Sequence, residues 1–374
     1  MKLLKLNFSL VVLLTVVILV ACSEDDPGTE TDNFDRKAML ENWAGNFIVP
    51  GYKSYVSRLD DLNASASIFT ETPTLENLVD LRSAWLSANI AWQKVAFFEI
   101  GKAEEITLVN FTNIYPVNTE DLEKTIQSGE YNLASVSKQD EQGFPAIEYM
   151  IYGIKGSDQE IVDLYLQEQV NNRYKTYLLD LTARLQSLAE SVLSDWENGY
   201  QETFVNNDGS EATSSVNKLV NDYIFYYEKH LRAGKIGIPA GVFTGSEAPE
   251  KVEGLYSGTS KALFMASLDA MQNFFNGQHE NLSLNASGES LKTYLKFVNE
   301  ISDGEDLAAL INAQFDLARN KAALLSEDFK VEVETNNSGM LETYDELQKN
   351  VVNLKVDMLS ALNIRVDYVD ADGD

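Results

Sequence analysis

Apolar residues recur every third or fourth position along most of this chain, which is the period of an amphipathic helix. In LENLVDLRSAWLSANIAWQKVAFFEI (75–100) they place Leu78, Leu81, Trp85, Leu86, Ala88 and Trp92 along one side. The same pattern predicts helices within 162–196, 215–233, 260–275, 306–325 and 340–362. Strand-like alternation is rare, and NIRVDYV (363–369) is its clearest case. Pro50, Pro73, Pro116, Pro239 and Pro249 sit at the edges of these segments. The pattern therefore predicts an all-α protein of packed helical bundles.

Two stretches interrupt the helical period. ENGYQETFVNNDGSEATSS (197–215) is polar and divides the helical material into halves of similar length. We expect two bundle domains packed side by side, over 35–205 and 206–374. Residues 101–142 read as irregular apart from a short helix in NTEDLEKTIQSG. A connection that long inside a compact domain is usually functional or an insertion.

The N-terminus has its own grammar. MKLLKLNFSLVVLLTVVILVAC carries two lysines, an apolar run from Leu10 to Val20, and then Leu19-Val20-Ala21-Cys22. The run is too short to span a bilayer and reads as an export signal, residues 1–21. Its end resembles a bacterial lipobox, which makes Cys22, the only cysteine, the expected lipidation site. Membrane attachment would then run through acyl chains on Cys22. The acidic stretch behind it (22–34) reads as a flexible tether. It also resembles the export tag of some surface-exposed outer-membrane lipoproteins. The expected location is the cell envelope, at the outer membrane, facing the periplasm or the surface.

Charge narrows the partners. The formal net charge is −29, and removal of Lys2 and Lys5 with the signal makes it −31. That balance excludes nucleic acid and docking on an anionic bilayer, and it is compatible with attracting cations.

Several chemistries are closed by composition. There is no HExxH, no GxSxG, no glycine-rich phosphate loop and no cysteine nucleophile, and only His230 and His279 supply imidazole. His279 reads as a solvated loop residue. QGFPAIEYMIYG (142–153) is unusual for another reason: a helix starting at Pro145 surrounds Glu148 with Phe144, Pro145, Ile151 and Tyr152. A carboxylate on an apolar face needs a partner. The segment YYEKHLRAGKIGIPAGVFTG (226–245) crowds Lys229, His230, Arg232 and Lys235 together. Lys and Arg ending a helix capped by Gly234 explain part of this. The rest suggests that Arg232 or Lys235 faces Glu148. Tyr226, Tyr227 and Glu228 add hard oxygen donors of the sort ferric iron accepts. The terminal Asp370, Asp372 and Asp374 resemble a fragment of a calcium loop, without its closing glutamate.

GFPAIEYMIYG resembles the signature of the imelysin family, Gly-x-His-x-x-Glu at the start of a helix, matched by Gly143 and Glu148. LRSAWLSANIAW, YYEKHLRAGKIGIPAG, EGLYSGTS and LINAQFDLARN also resemble family landmarks. The resemblance implies two helical bundles with a site at their interface, in a family of iron-regulated envelope proteins and lipoproteins also classed among metallopeptidases. Pro145 stands where the family histidine belongs, and a proline neither ligates a metal nor moves a proton. That substitution leans the reading away from catalysis.

The expectation is thus a lipid-anchored binding protein in iron uptake, for free iron, haem or another iron species. Its ligand-binding candidates are Glu148, Pro145, Gly143, Arg232, Lys235, Arg82 and Trp85, with Glu148 and Glu228 as candidate metal ligands. Two alternatives stay open: a metallopeptidase with a degenerate motif, and a non-catalytic structural or protein-binding lipoprotein.

Overall fold

The computed structural model describes residues 33–167, 171–279, 288–302 and 306–368. The predicted signal peptide, Cys22, nearly all of the tether, and Asp370, Asp372 and Asp374 lie outside the described residues. Residues 34–374 group as one compact unit.

The regular structure of the described chain is helical. Its first half runs through α1 (Arg36–Asn42), α2 (Val49–Glu71), α3 (Leu75–Gln93), α4 (Lys102–Glu105), α5 (Leu108–Thr112) and α6 (Thr119–Ser128). It continues with α7 (Gly143–Glu148), α8 (Asp158–Leu166), α9 (Asn171–Asp195) and α10 (Gln201–Asn206). The second half holds α11 (Ser215–Phe225), α12 (Ser260–Asn276), α13 (Leu291–Ser302), α14 (Leu307–Ala323), α15 (Phe329–Asn336), α16 (Ser338–Val351) and α17 (Leu359–Ala361). No helix among the described residues is long and apolar enough to cross a membrane.

Local chemistry sets the helix starts. Side chains of Asp35, Thr74, Asn118, Ser157, Ser214 and Asp306 each accept a hydrogen bond from a backbone amide in the first turn. Each satisfies an amide the helix cannot pair internally. Gly129 and Gly277, with φ of 70° and 67°, end α6 and α12.

The apolar stripes then meet. α2 packs along α3 and α9, α14 packs along α16, and α12 touches both α3 and α14. Trp43, Trp85, Trp92 and Trp196 are all fully buried. Five helices widen into π-type turns among the described residues: Trp43–Ile48 after α1, Tyr149–Gly153 after α7, Trp196–Tyr200 after α9, Tyr226–Gly237 after α11, and Val352–Met358 after α16. Such turns shift a helix's register and often mark functional sites.

The structure departs from the periodic reading in four places. α3 stops at Gln93 rather than near residue 100, because the chain turns to drive Phe97 and Phe98 into an aromatic cluster around Phe274. The polar stretch 197–215 contains α10, held by buried Phe204 against Trp196. Gly234 does not end a helix, since the wide turns run on to Gly237. Residues 363–368 form no strand: their backbone is held by the Asn221 side chain, which donates to Arg365 O and accepts from Asp367 N. With a side chain as partner, alternation has no ladder to join.

Candidate functional site

The short helix α7 is fixed before Glu148 is reached. Gly143 has φ +76°, and a Cβ there would collide with the Thr112 carbonyl, so backbone and space both demand glycine. Trp85, on α3, donates its indole N–H to Phe144 O at 3.0 Å. Pro145 occupies the first turn, fully packed, where its missing N–H costs nothing. These three residues aim Glu148 inward, where it is only 3 % exposed.

The partner of Glu148 is backbone. Its Oε1 accepts the amides of Tyr256 at 3.0 Å and Ser257 at 2.8 Å. Both lie in the loop 252–259, which Gly254 and Gly258 bend through positive φ. Burial pushes the Glu148 carboxyl up to about 7. The Ser257 and Tyr256 hydrogen bonds pull it down, and nearby Glu253 raises it further. Tyr152, held up at about 12 chiefly by burial, and Tyr256 also feel the Glu148 charge. The Tyr149 ring lies tilted against that of Tyr256, 5.3 Å between centroids, and its hydroxyl donates to Glu123.

Behind that loop sits a second buried carboxylate. Glu253 Oε1 accepts from Gln93 at 2.9 Å and Asn113 at 2.7 Å, and Oε2 pairs with Lys235. Lys235 also donates to Gln93 Oε1 at 2.8 Å. Burial holds the Lys235 ammonium below its usual range, and Glu253 pulls it back up. His230 lies near this pair and stacks on Tyr226 with centroids 5.1 Å apart. Burial and the Lys235 charge push its imidazole down to about 4, so it is neutral at pH 7.

The expected pairing of Glu148 with Arg232 or Lys235 is therefore corrected. Lys235 is taken by Glu253. Arg232 donates to Tyr344 Oη at 2.6 Å and to Gln348, and lies 3.7 Å from Glu228. Glu228, offered as a metal ligand, is instead surrounded by cations: Lys355 at 3.0 Å, Lys229 at 3.6 Å and Arg232. Tyr227 spends its hydroxyl on Leu347 O, and Tyr226 is buried beside Gln93. Arg82 clamps the turn beyond Glu148. It forms a two-pronged pair with Asp158 at 2.9 and 2.7 Å, and donates to Ile151 O. Its guanidinium lies 4.3 Å from the centre of the Tyr152 ring.

Gly143, Pro145, Glu148, Arg82 and Trp85 thus converge on one region, while Arg232 and Glu228 belong to another cluster. Lys235 joins the first region only through Glu253. Glu253, Gln93 and Asn113 were missed. EGLYSGTS stood out as a sequence landmark, yet nothing in its spacing announced that its amides would receive Glu148. A hydrolytic metal centre does not fit these residues. Proline takes the histidine position, Glu148 faces backbone donors, and no group of three or more His, Cys, Asp or Glu among the described residues is placed to hold a metal.

No curated protein matches the sequence. Solved structures share the fold, among them these two. One, from Parabacteroides distasonis, carries the provisional name iron-regulated protein A precursor; it is 18 % identical, with a TM-score of 0.69, covering 87 % of this chain and 95 % of that one. The other is an imelysin-like protein from Psychrobacter arcticum 273-4, 16 % identical with a TM-score of 0.67, covering 89 % of this chain and 97 % of its own. The family described as imelysin matches residues 48–357, most of the chain. This protein belongs to the imelysin family.

Proposed function

We propose that the protein is a lipid-anchored binding component of the cell envelope that takes part in iron uptake, with its ligand received at Glu148. One observation carries the reading. A carboxyl held near neutrality is buried among Tyr149, Tyr152 and Tyr256, and rests on the amides of a glycine-bent loop. Such a group exchanges a proton or accepts a cationic or hydrogen-bonding ligand at little cost. Phenol and carboxyl oxygens also suit ferric iron. The name of the Parabacteroides neighbour supports the iron connection, and the lipobox-like LVAC supports the anchor.

Because the described residues gather no set of three metal-binding side chains, the iron would arrive with its own ligand, as haem or a chelate. Peptidase chemistry has less support, since Pro145 supplies neither ligand nor base. The test is the melting temperature of the protein with haemin, ferric citrate, ferrous iron, zinc and calcium, beside Glu148→Gln. We expect an upward shift with an iron species that disappears in the variant. No shift with any of them, or an equal shift in Glu148→Gln, would remove Glu148 from ligand binding.

A further inference from the structure

We infer that the outward face of α14 is a docking surface for a cationic amphipathic helix of a partner protein, distinct from the Glu148 region. Leu310, Leu317 and Leu324 recur at seven-residue intervals and are 47 %, 48 % and 83 % exposed. Ala313 and Asn320 lie exposed between them. That spacing is the seam of a coiled coil, in which leucine knobs alternate with holes left by smaller residues. The helix already buries another apolar stripe, Ala308, Ile311, Phe315, Ala318 and Ala322, in the core. α14 is thus apolar on two sides, and a second helix would satisfy the outer one.

An ordinary surface helix looks different. Along α2 the exposed positions from Lys53 to Asp61 are Lys53, Ser54, Ser57, Arg58, Asp60 and Asp61, all polar. Among the exposed positions of α14 only Asp316 and Asn320 are polar. A single exposed leucine needs no explanation, but three aligned on one helix form a strip.

Size and charge choose the occupant. α14 has 17 residues, so its outer face is about 25 Å long and about 10 Å wide, an area of about 250 Å². A stable pair of whole chains buries about 800 Å² on each partner. The face therefore suits one helix laid along it rather than a second copy. A second copy would also bring a net charge of −29 against its own kind. The rims repeat that sign. On one side Asp269 and Asp316 share Arg319, each at 2.8 Å. On the other Glu342 holds Lys321 at 2.8 Å and Glu346 holds Lys349 at 2.9 Å. These cations are already engaged, and Asp306 adds a carboxylate where the helix begins. Lysines or arginines flanking the seam of a partner helix find acceptors here, whereas acidic flanks meet like charge.

Fluorescence anisotropy with the full chain tests this, using three labelled peptides of about 18 residues, long enough to hold a helix. They share one heptad frame: leucines flanked by lysines, leucines flanked by glutamates, and serines flanked by lysines. We expect saturable binding of the lysine-flanked leucine peptide, and binding at least about tenfold weaker for the other two. Leu317→Glu should weaken the first peptide at least about tenfold, although its added charge alone would attract lysines. Leu324→Ser, at the exposed end of the strip, should weaken it less. Val352→Glu, 47 % exposed on the wide turn after α16, should leave it unchanged. Melting temperatures confirm that each variant is folded. No saturable binding, equal binding of the serine peptide, or binding unchanged in folded Leu317→Glu would overturn the proposal. So would a concentration-dependent dimer in sedimentation equilibrium that Leu317→Glu dissolves, because the strip would then belong to a second copy. Glu148→Gln touches none of this surface and should bind the peptide like wild type, which separates this face from the iron reading.

Discussion

Two regions of the molecule bury carboxyl groups, and they do it differently. Around Glu148 and Glu253 the fold supplies close donors: two loop amides on Glu148 Oε1 in one case, Gln93, Asn113 and Lys235 on Glu253 in the other. Around Glu99 and Asp222 the donors are weaker and like charges crowd in. Glu99 accepts a long bond from Val109 N at 3.4 Å and is also held down by the Leu108 amide, yet burial, with the neighbouring Glu104 charge, pushes it up to about 8. Asp222 reaches about 8 through burial and the charges of Glu104, Glu99 and Asp367, opposed by Lys218. Burial alone therefore does not distinguish a site. What distinguishes the first region is that the fold brings preorganised donors to the carboxyl, whereas the second leaves carboxyls crowded with their own kind.

The largest effect should come from breaking the Lys235–Glu253 pair. Glu253→Ala strands a buried ammonium and two amide donors, and chemical denaturation should show a loss of about 3–5 kcal/mol. The double variant Lys235→Met with Glu253→Gln should recover much of that loss. If it does not, the pair is not the unit we describe.

Next in size is Glu148→Ala, which leaves the Tyr256 and Ser257 amides without an acceptor and should cost about 1–3 kcal/mol. Glu148→Gln keeps an oxygen facing those amides. It should therefore lie much closer to wild type, and a loss equal to that of alanine would show that charge, not the amide contact, matters.

The smallest effect depends on pH and sharpens the contrast. Glu99 and Asp222 titrate near 8 when folded and near 4 when unfolded, so the folded state holds protons that the unfolded state releases. Their neutral forms support the fold below about pH 4, and that support is lost as pH rises toward 8. Glu99→Gln with Asp222→Asn should leave stability at pH 4 unchanged and raise it at pH 9 by about 1–2 kcal/mol, after allowance for partial solvent screening. A slope between pH 4 and 9 as steep as wild type would contradict the electrostatic description of this region.

The sequence by itself determined the helical class, because a 3.6-residue apolar period has only one secondary structure that buries it. It also located Glu148, since a carboxyl on an apolar helical face is conspicuous without any coordinates, and it marked Gly143, Pro145, Arg82 and Trp85, which do converge there. Partnership was another matter. Lys235 and Arg232 are three residues apart, yet one pairs with Glu253 and the other with Tyr344, Gln348 and Glu228. Their directions depend on the wide turns of 226–237, whose register the regular period does not encode. Backbone amides are equally silent in sequence, because every residue but proline has one, and only the bend at Gly254 and Gly258 aims two of them at Glu148.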